Sequence, residues 1–212
     1  MSADRIRLQI DRVSKTYGSR QVLRSVSADL AGGDTLVVTG RNGAGKSTLL
    51  RIVAGLLRPS QGAVHFWRRG VQITPEERQQ VLGFSGPDVH LYRELSAREH
   101  IRLVARLRGL EKSVEDEEAL LARFGLEGRG DETLSTFSSG MLQRLRLGLA
   151  LIHGPEVLLL DEPTSNLDMA GVALLGGIVR EAAESGVVII ATNDPRDVEY
   201  GDLLLCLDAA DG

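Results

Sequence analysis

The sequence predicts an α/β fold: a parallel sheet with flanking helices, an N-terminal antiparallel β subdomain and an inserted α-helical subdomain. Three observations carry this expectation. Short apolar runs at 157–160 and 187–191 have the length and texture of strands buried on both faces. Another apolar strand, 35–39, runs into a glycine-rich loop and then into helix-spaced leucines. From about 96 to 152 the pattern becomes helical before strand-helix-strand texture returns.

Taken in order, Ile6, Leu8 and Ile10 alternate with polar residues, as do Val26, Ala28 and Leu30. Both segments read as half-buried antiparallel strands, with a turn-like stretch over 14–19 between them. A helix is expected over 46–57 from the spacing of Leu49, Leu50, Ile52 and Val53, with Pro59 as its stop. Ser96 reads as the N-cap of a helix over 97–107 that Gly109 closes. Ser113 with Asp116 opens a second, carrying Leu120, Leu121 and Phe124 to Gly125. The acidic run Glu115, Asp116, Glu117 and Glu118 lies in that helix's first turn, where it favours the positive end of the dipole, and reads as a solvated face. Arg98, Arg102 and Arg106 recur at i, i+4 and i+8 along one face, which is either solvated or a docking surface. The last strands fall at 157–161, 187–192 and 203–207. No repeat or low-complexity linker interrupts the chain, so residues 1–212 read as one domain with a helical subdomain over about 88–152.

Composition narrows the function. The net charge of -4 is mixed along the chain, which argues against a nucleic-acid footprint. Cys206 is the only cysteine, so no disulfide forms within the chain and a reducing cytoplasm fits. Its place in an apolar run makes it a buried strand residue by expectation. Met1 to Arg5 show no apolar signal core, and no stretch reaches the roughly 18–20 apolar residues that cross a bilayer. Any membrane role is therefore expected through another chain.

The decisive motif is Gly40-Arg41-Asn42-Gly43-Ala44-Gly45-Lys46-Ser47-Thr48, a match to G-x-x-x-x-G-K-[ST] between a strand and a helix. Glycines let successive N–H groups converge on phosphate oxygens, and the helix directs its positive end at the same anion. Lys46 is expected on the β- and γ-phosphates of ATP, and Ser47 on Mg²⁺. A chance glycine turn would lack this flanking context. The apolar run at 157–160 then releases Asp161 and Glu162 at the sheet edge where ligands of open α/β folds bind. Asp161 is the candidate metal ligand and Glu162 the candidate general base for water. By itself that pair could be a strand ending in a polar turn at Pro163.

Phe137-Ser138-Ser139-Gly140-Met141-Leu142-Gln143-Arg144 resembles the LSGGQ-type signature of ABC (ATP-binding cassette) ATPases, placed before the acidic strand as in that family. Ser138, Ser139 and Gly140 open a helix, which makes a second anion site; the bland reading is a serine N-cap. The resemblance covers essentially the whole chain. It implies an ATPase whose two copies, or two paralogues, sandwich two ATP molecules head to tail. Further implied are separate transmembrane permease subunits as partners and a peripheral place on the cytoplasmic face of the membrane. Ser165-Asn166-Leu167-Asp168 resembles the loop that links the two sites across such a dimer, giving Asp168 a place near nucleotide. Tyr17 stands where these ATPases stack an aromatic on adenine; its other reading is an exposed turn tyrosine.

Two positions depart from the family pattern. Pro87, within Gly83-Phe84-Ser85-Gly86-Pro87-Asp88, occupies the place of a glutamine. Asn193, in Ala191-Thr192-Asn193-Asp194-Pro195, occupies that of a histidine. An amide donates to phosphate but does not titrate near neutrality. The resemblance thus implies a transporter motor, similar to exporter subunits including the cytochrome c maturation (heme-exporter) type. A slow regulatory cassette and a non-transport ABC ATPase are the alternatives. A GTPase lacks support, because no N-K-x-D motif is present.

Overall fold

In the computed structural model, which describes residues 6–184 and 186–207, the chain begins with two long paired strands, Arg7–Tyr17 (β1) and Arg20–Ala31 (β2). The expectation for Met1 to Arg5 lies outside the described residues. The turn between β1 and β2 is shorter than the sequence suggested. Lys15, Thr16 and Tyr17 still pair with β2, leaving Gly18 and Ser19 as the reversal. Thr35–Gly40 (β3) leads into Lys46–Ala54 (α1). That helix ends before position 57 because Gly55 adopts a left-handed conformation (φ 78°) and its N–H caps the carbonyls of Arg51 and Ile52.

The next stretch holds four elements the pattern reading did not assign: Gln61–Arg68 (β4), Val71–Gln72 (β5), Pro75–Val81 (α2) and Leu82–Ser85 (β6). Only Phe66 of β4 is fully buried, so alternation is faint there. The short α2 did carry a signal: Thr74 and Glu77 form a reciprocal capping box with Pro75 at the first turn. Ala97–Leu107 (α3) and Val114–Arg123 (α4) begin on the expected caps, Ser96 and Ser113, each reciprocated by an acid three residues on. A 3₁₀ turn at Leu134–Thr136 precedes Ser139–Leu151 (α5). The chain then runs through Val157–Asp161 (β7), Met169–Ala183 (α6), Val187–Ala191 (β8), Pro195–Val198 (α7) and Leu203–Leu207 (β9).

The strands form two sheets. One is antiparallel in the order β2-β1-β4-β5; the other is parallel in the order β6-β7-β8-β3-β9. The expected α/β architecture with its antiparallel and helical subdomains is therefore borne out. Period-two side-chain alternation divides the central strands between two apolar layers. Leu36, Val38, Leu159 and Ile189 pack with α1 and the antiparallel sheet. Val37, Leu158, Leu160, Val188 and Ile190 face α5 and α6 through Leu145, Leu175 and Ile178. Burial on both faces explains why these strands read as continuous apolar runs.

Two surface expectations are corrected. Glu117 is not solvated: it is 1% exposed and accepts hydrogen bonds from Arg98 Nη1 (3.0 Å) and Arg102 Nε (2.6 Å). Arg98 also pairs with Glu118 and Asp131. Arg98 and Arg102 of the arginine row thus pair with Glu117 and Glu118 of the acidic run across α3 and α4, while Arg106 is exposed. Cys206 is likewise exposed rather than buried, because β9 is the edge strand of the parallel sheet and this side chain lies on its open side.

Candidate nucleotide site at the edge of the parallel sheet

The loop between β3 and α1 owes its shape to glycines with no room for a side chain. A Cβ on Gly40 would stand 2.5 Å from the Leu207 carbonyl oxygen, and one on Gly45 2.8 Å from Leu23 and Val22. Both have positive φ, 147° and 103°, which L side chains rarely adopt. Gly45 is also the N-cap of α1, so the first N–H groups of that helix open toward the loop. Lys46 is 6% exposed and folds over the loop, donating from Nζ to the Gly40 carbonyl at 2.9 Å. Its Nζ lies 3.7 Å from Glu162 Oε1.

A cleft of about 490 Å³ opens above this loop. Tyr17, Asn42, Gly43, Gly45, Lys46, Ser47, Thr48 and Glu162 line it, joined by Arg20 and Val22 of β2. Tyr17 is half exposed at the cleft and carries the Lys15 ammonium 5.0 Å from its ring centroid. Arg41 and Ala44 belong to the loop without lining the cleft; Ala44 is buried and Arg41 exposed.

The two acids at the end of β7 have different surroundings. Asp161 is 1% exposed, and its Oδ1 is buried without a hydrogen-bond partner. Burial pushes its carboxyl above the usual range; the neighbouring Ser47 hydroxyl acts in the opposite direction, and the Glu162 charge adds to the rise. A divalent cation fits this donor set: an orphaned carboxylate oxygen beside a hydroxyl, both hard ligands. Glu162 departs from the strand with φ +48°, an uncommon backbone for a residue with a Cβ. Its N–H donates to Ala191 O at 2.8 Å, and its Oε2 accepts the N–H of Asn193 at 3.2 Å. The Asn193 side-chain amide in turn donates to Asn42 Oδ1 at 3.0 Å. Asn193 therefore bridges the candidate base and the glycine-rich loop.

Pro87 follows β6, where Gly86 packs so closely on Asp161 that a Cβ there would stand 2.9 Å from the aspartate Cβ. Asp88 is paired with Arg51 of α1, and its charge is felt at Asp161.

Ser138, Ser139, Gly140 and Asp168 do not line the cleft. Ser138 caps α5 by accepting the Met141 N–H at 3.2 Å, and a Cβ on Gly140 would stand 2.8 Å from Asn166 O. Asp168 caps α6 through the Gly171 N–H at 2.8 Å and pairs with Arg144; these contacts, in that order of weight, hold its carboxyl below the usual range. Within one chain these residues make a second patch at the starts of α5 and α6. Sequence reasoning missed the buried cluster behind Glu162, formed by Thr164, Thr192 and Asp197. A signal was present in polar residues flanking apolar strand β8, but their meeting depends on the chain reversing through α7.

A family model described as ABC transporter matches residues 23–165. The chain belongs to the ABC transporter family. An ABC transporter ATP-binding protein of Bacillus subtilis (strain 168), YdbJ, described as uncharacterized, is 33% identical over 196 residues, covering 91% of this chain and 63% of its own length. The cytochrome c biogenesis ATP-binding export protein CcmA of Haemophilus influenzae is 31% identical and covers 88% of each chain. A solved structure described as the ATP binding subunit of an ABC transporter matches with a TM-score of 0.83 at 28% identity, over 97% of this chain and 89% of that one. The chain spans about three fifths of the length of the first curated ABC relatives it matches. Among the described residues no helix of this ABC chain is long and apolar enough to cross a membrane.

Proposed function

We propose that this chain binds MgATP in the cleft above the glycine-rich loop and hydrolyses it as the motor of a membrane transporter. One observation carries the reading: Lys46, Ser47, Asp161, Glu162 and Asn193 converge on one edge of the parallel sheet around a loop shaped by glycines. The loop N–H groups and the N-terminus of α1 bind phosphate oxygens, and Lys46 exchanges the Gly40 carbonyl for the terminal phosphates. Tyr17 offers its ring to the adenine. Glu162 accepts a proton from the attacking water, held toward the cleft by the Asn193 N–H. The Asn193 amide donates to a γ-phosphate oxygen in place of Asn42. Ser47 and Asp161 would hold Mg²⁺, which supplies charge neutralisation on the phosphates.

The patch at Ser138, Ser139 and Gly140 is one half of a composite site: in a head-to-tail pair it faces the nucleotide held by the second subunit, and Asp168 lies beside it. An opened helix start at a distance from the chain's own cleft supports that reading. Separate transmembrane permease subunits hold the pair at the cytoplasmic face of the membrane. Relatives named for lantibiotic transport, daunorubicin resistance and cytochrome c biogenesis export support an exporter. The test is phosphate release from MgATP by the purified chain, with and without membranes containing its co-purified partners. No release in either setting, despite nucleotide binding, would leave the slow regulatory cassette, which the Asn193 and Pro87 substitutions favour.

A further inference from the structure

Asp197 is 0% exposed on α7, and its carboxylate serves two loops at once. Its Oδ2 accepts the Thr192 hydroxyl at 2.6 Å and the Thr164 hydroxyl at 3.0 Å. Thr164 is two residues beyond Glu162, and Thr192 immediately precedes Asn193. The Thr192 oxygen also accepts the Asp194 N–H at 2.9 Å and lies 3.5 Å from Glu162 Oε2. Thr192 is 0% and Thr164 4% exposed, so water does not substitute for these bonds.

We propose that Asp197 is a positioning residue that clamps the loop carrying Glu162 to the loop carrying Asn193, through Thr164 and Thr192. The proposal rests on the assignment of Glu162 and Asn193 to ATP hydrolysis. A hydroxyl has one proton, and the shorter contact directs that of Thr192 to Asp197. Glu162 Oε2 is then held by the Asn193 N–H alone, with its remaining lone pair open to the cleft. A backbone as unusual as that of Glu162 persists only where its surroundings over-determine it, and this cluster ties both loops to one buried carboxylate beside the direct bonds between them. Burial of a charge without a cationic partner is costly, and burial pushes the Asp197 carboxyl above the usual range; its Oδ1, which has no hydrogen-bond partner, adds to that cost. Asp197 does not line the cleft, so its contribution is to geometry.

Two readouts test the clamp. In Asp197→Ala, kcat is expected to fall about 10- to 100-fold, since misplacing a base by an ångström costs that much. MgATP affinity should stay within about twofold, and Asp197→Asn, which keeps an acceptor for both hydroxyls, should recover most of the rate. The second readout is independent of turnover. Amide hydrogen exchange at Asn193 and Asp194, whose N–H groups bond Glu162 and Thr192, should accelerate in Asp197→Ala; in Thr192→Val, which deletes the acceptor of the Asp194 N–H, the Asn193 amide is the one that reports on the clamp and should accelerate. Should Asp197→Ala not fold, Thr192→Val carries both readouts. Wild-type exchange at these amides in the folded variants overturns the clamp. Accelerated exchange in a protein whose wild type releases no phosphate supports the clamp and overturns the hydrolytic assignment instead.

Discussion

The side-chain amide of Asn193 donates to the side-chain oxygen Oδ1 of Asn42 at 3.0 Å, joining the loop after β8 to the glycine-rich loop. Replacement by histidine keeps a ring N–H for the phosphate and adds a charge or mobile proton as negative charge redistributes in the transition state. Asn193→His is expected to raise phosphate release about 5- to 150-fold, the equivalent of roughly 1–3 kcal/mol. MgATP affinity should barely change. Pro87→Gln alone and combined with Asn193→His are measured beside it; a lower rate for Asn193→His in both backgrounds would make asparagine an adapted part of this site.

Lys46→Ala should abolish tight MgATP binding and leave the fold intact. The lysine is buried against Gly40 and contributes the only ammonium among the residues lining the cleft. Titration calorimetry with MgATP, alongside circular dichroism, checks both halves. Wild-type affinity in the variant would remove Lys46 from the phosphate site.

Glu162→Gln keeps the shape of the side chain and removes the proposed base. Hydrolysis should slow by about 10²- to 10⁴-fold while nucleotide remains bound. Trapped ATP should then hold two subunits together, doubling the mass seen by light scattering in MgATP. A strictly monomeric variant at high concentration would contradict the head-to-tail pair.

Arg98 and Arg102 are expected to matter for stability, since both close on Glu117. Desolvation pushes the Glu117 carboxyl up, but hydrogen bonds from Arg102 and Arg98 outweigh it, so its folded pKa lies below the ordinary value of 4.5. The stabilisation is present above pH 4.5 and disappears as pH falls through the lowered folded value. Glu117→Gln should cost about 3 kcal/mol at pH 7, the scale of weakening its charge-assisted hydrogen bonds with Arg98 and Arg102. That corresponds to a fall in Tm of about 6–12 °C. The gap from wild type should narrow toward pH 3 in thermal melts. Reversal of Arg106 alone, which spares this network, tests docking to acidic loops of a membrane partner by co-purification.

Legibility followed the range of the forces involved. The central strands β3, β7 and β8 and the starts of α3 and α4 were readable because burial on two faces and capping are encoded within a few residues. β4 escaped because its burial comes from pairing with β1, more than forty residues earlier, with only Phe66 marking the core. The glycine-rich loop was legible as a contiguous motif. The bond of Asn193 to Asn42 was not, since a contact spanning 151 positions depends on β3 and β8 being neighbours in the sheet. Packing of one helix on another hid the pairing of Arg98 and Arg102 with Glu117, 19 and 15 positions away, each side of which reads locally as an exposed charged face.

The positive φ of Glu162 sets activity against durability at a single position. Glycine adopts that backbone without a Cβ penalty, and asparagine tolerates it better than glutamate. Relief of a strained residue of this kind is worth about 1 kcal/mol or more. A redesign that scores folding alone will thus replace Glu162 and return a hardier protein without its proposed base. Selection for thermal tolerance in the laboratory would drift the same way, unless turnover is demanded in the same screen.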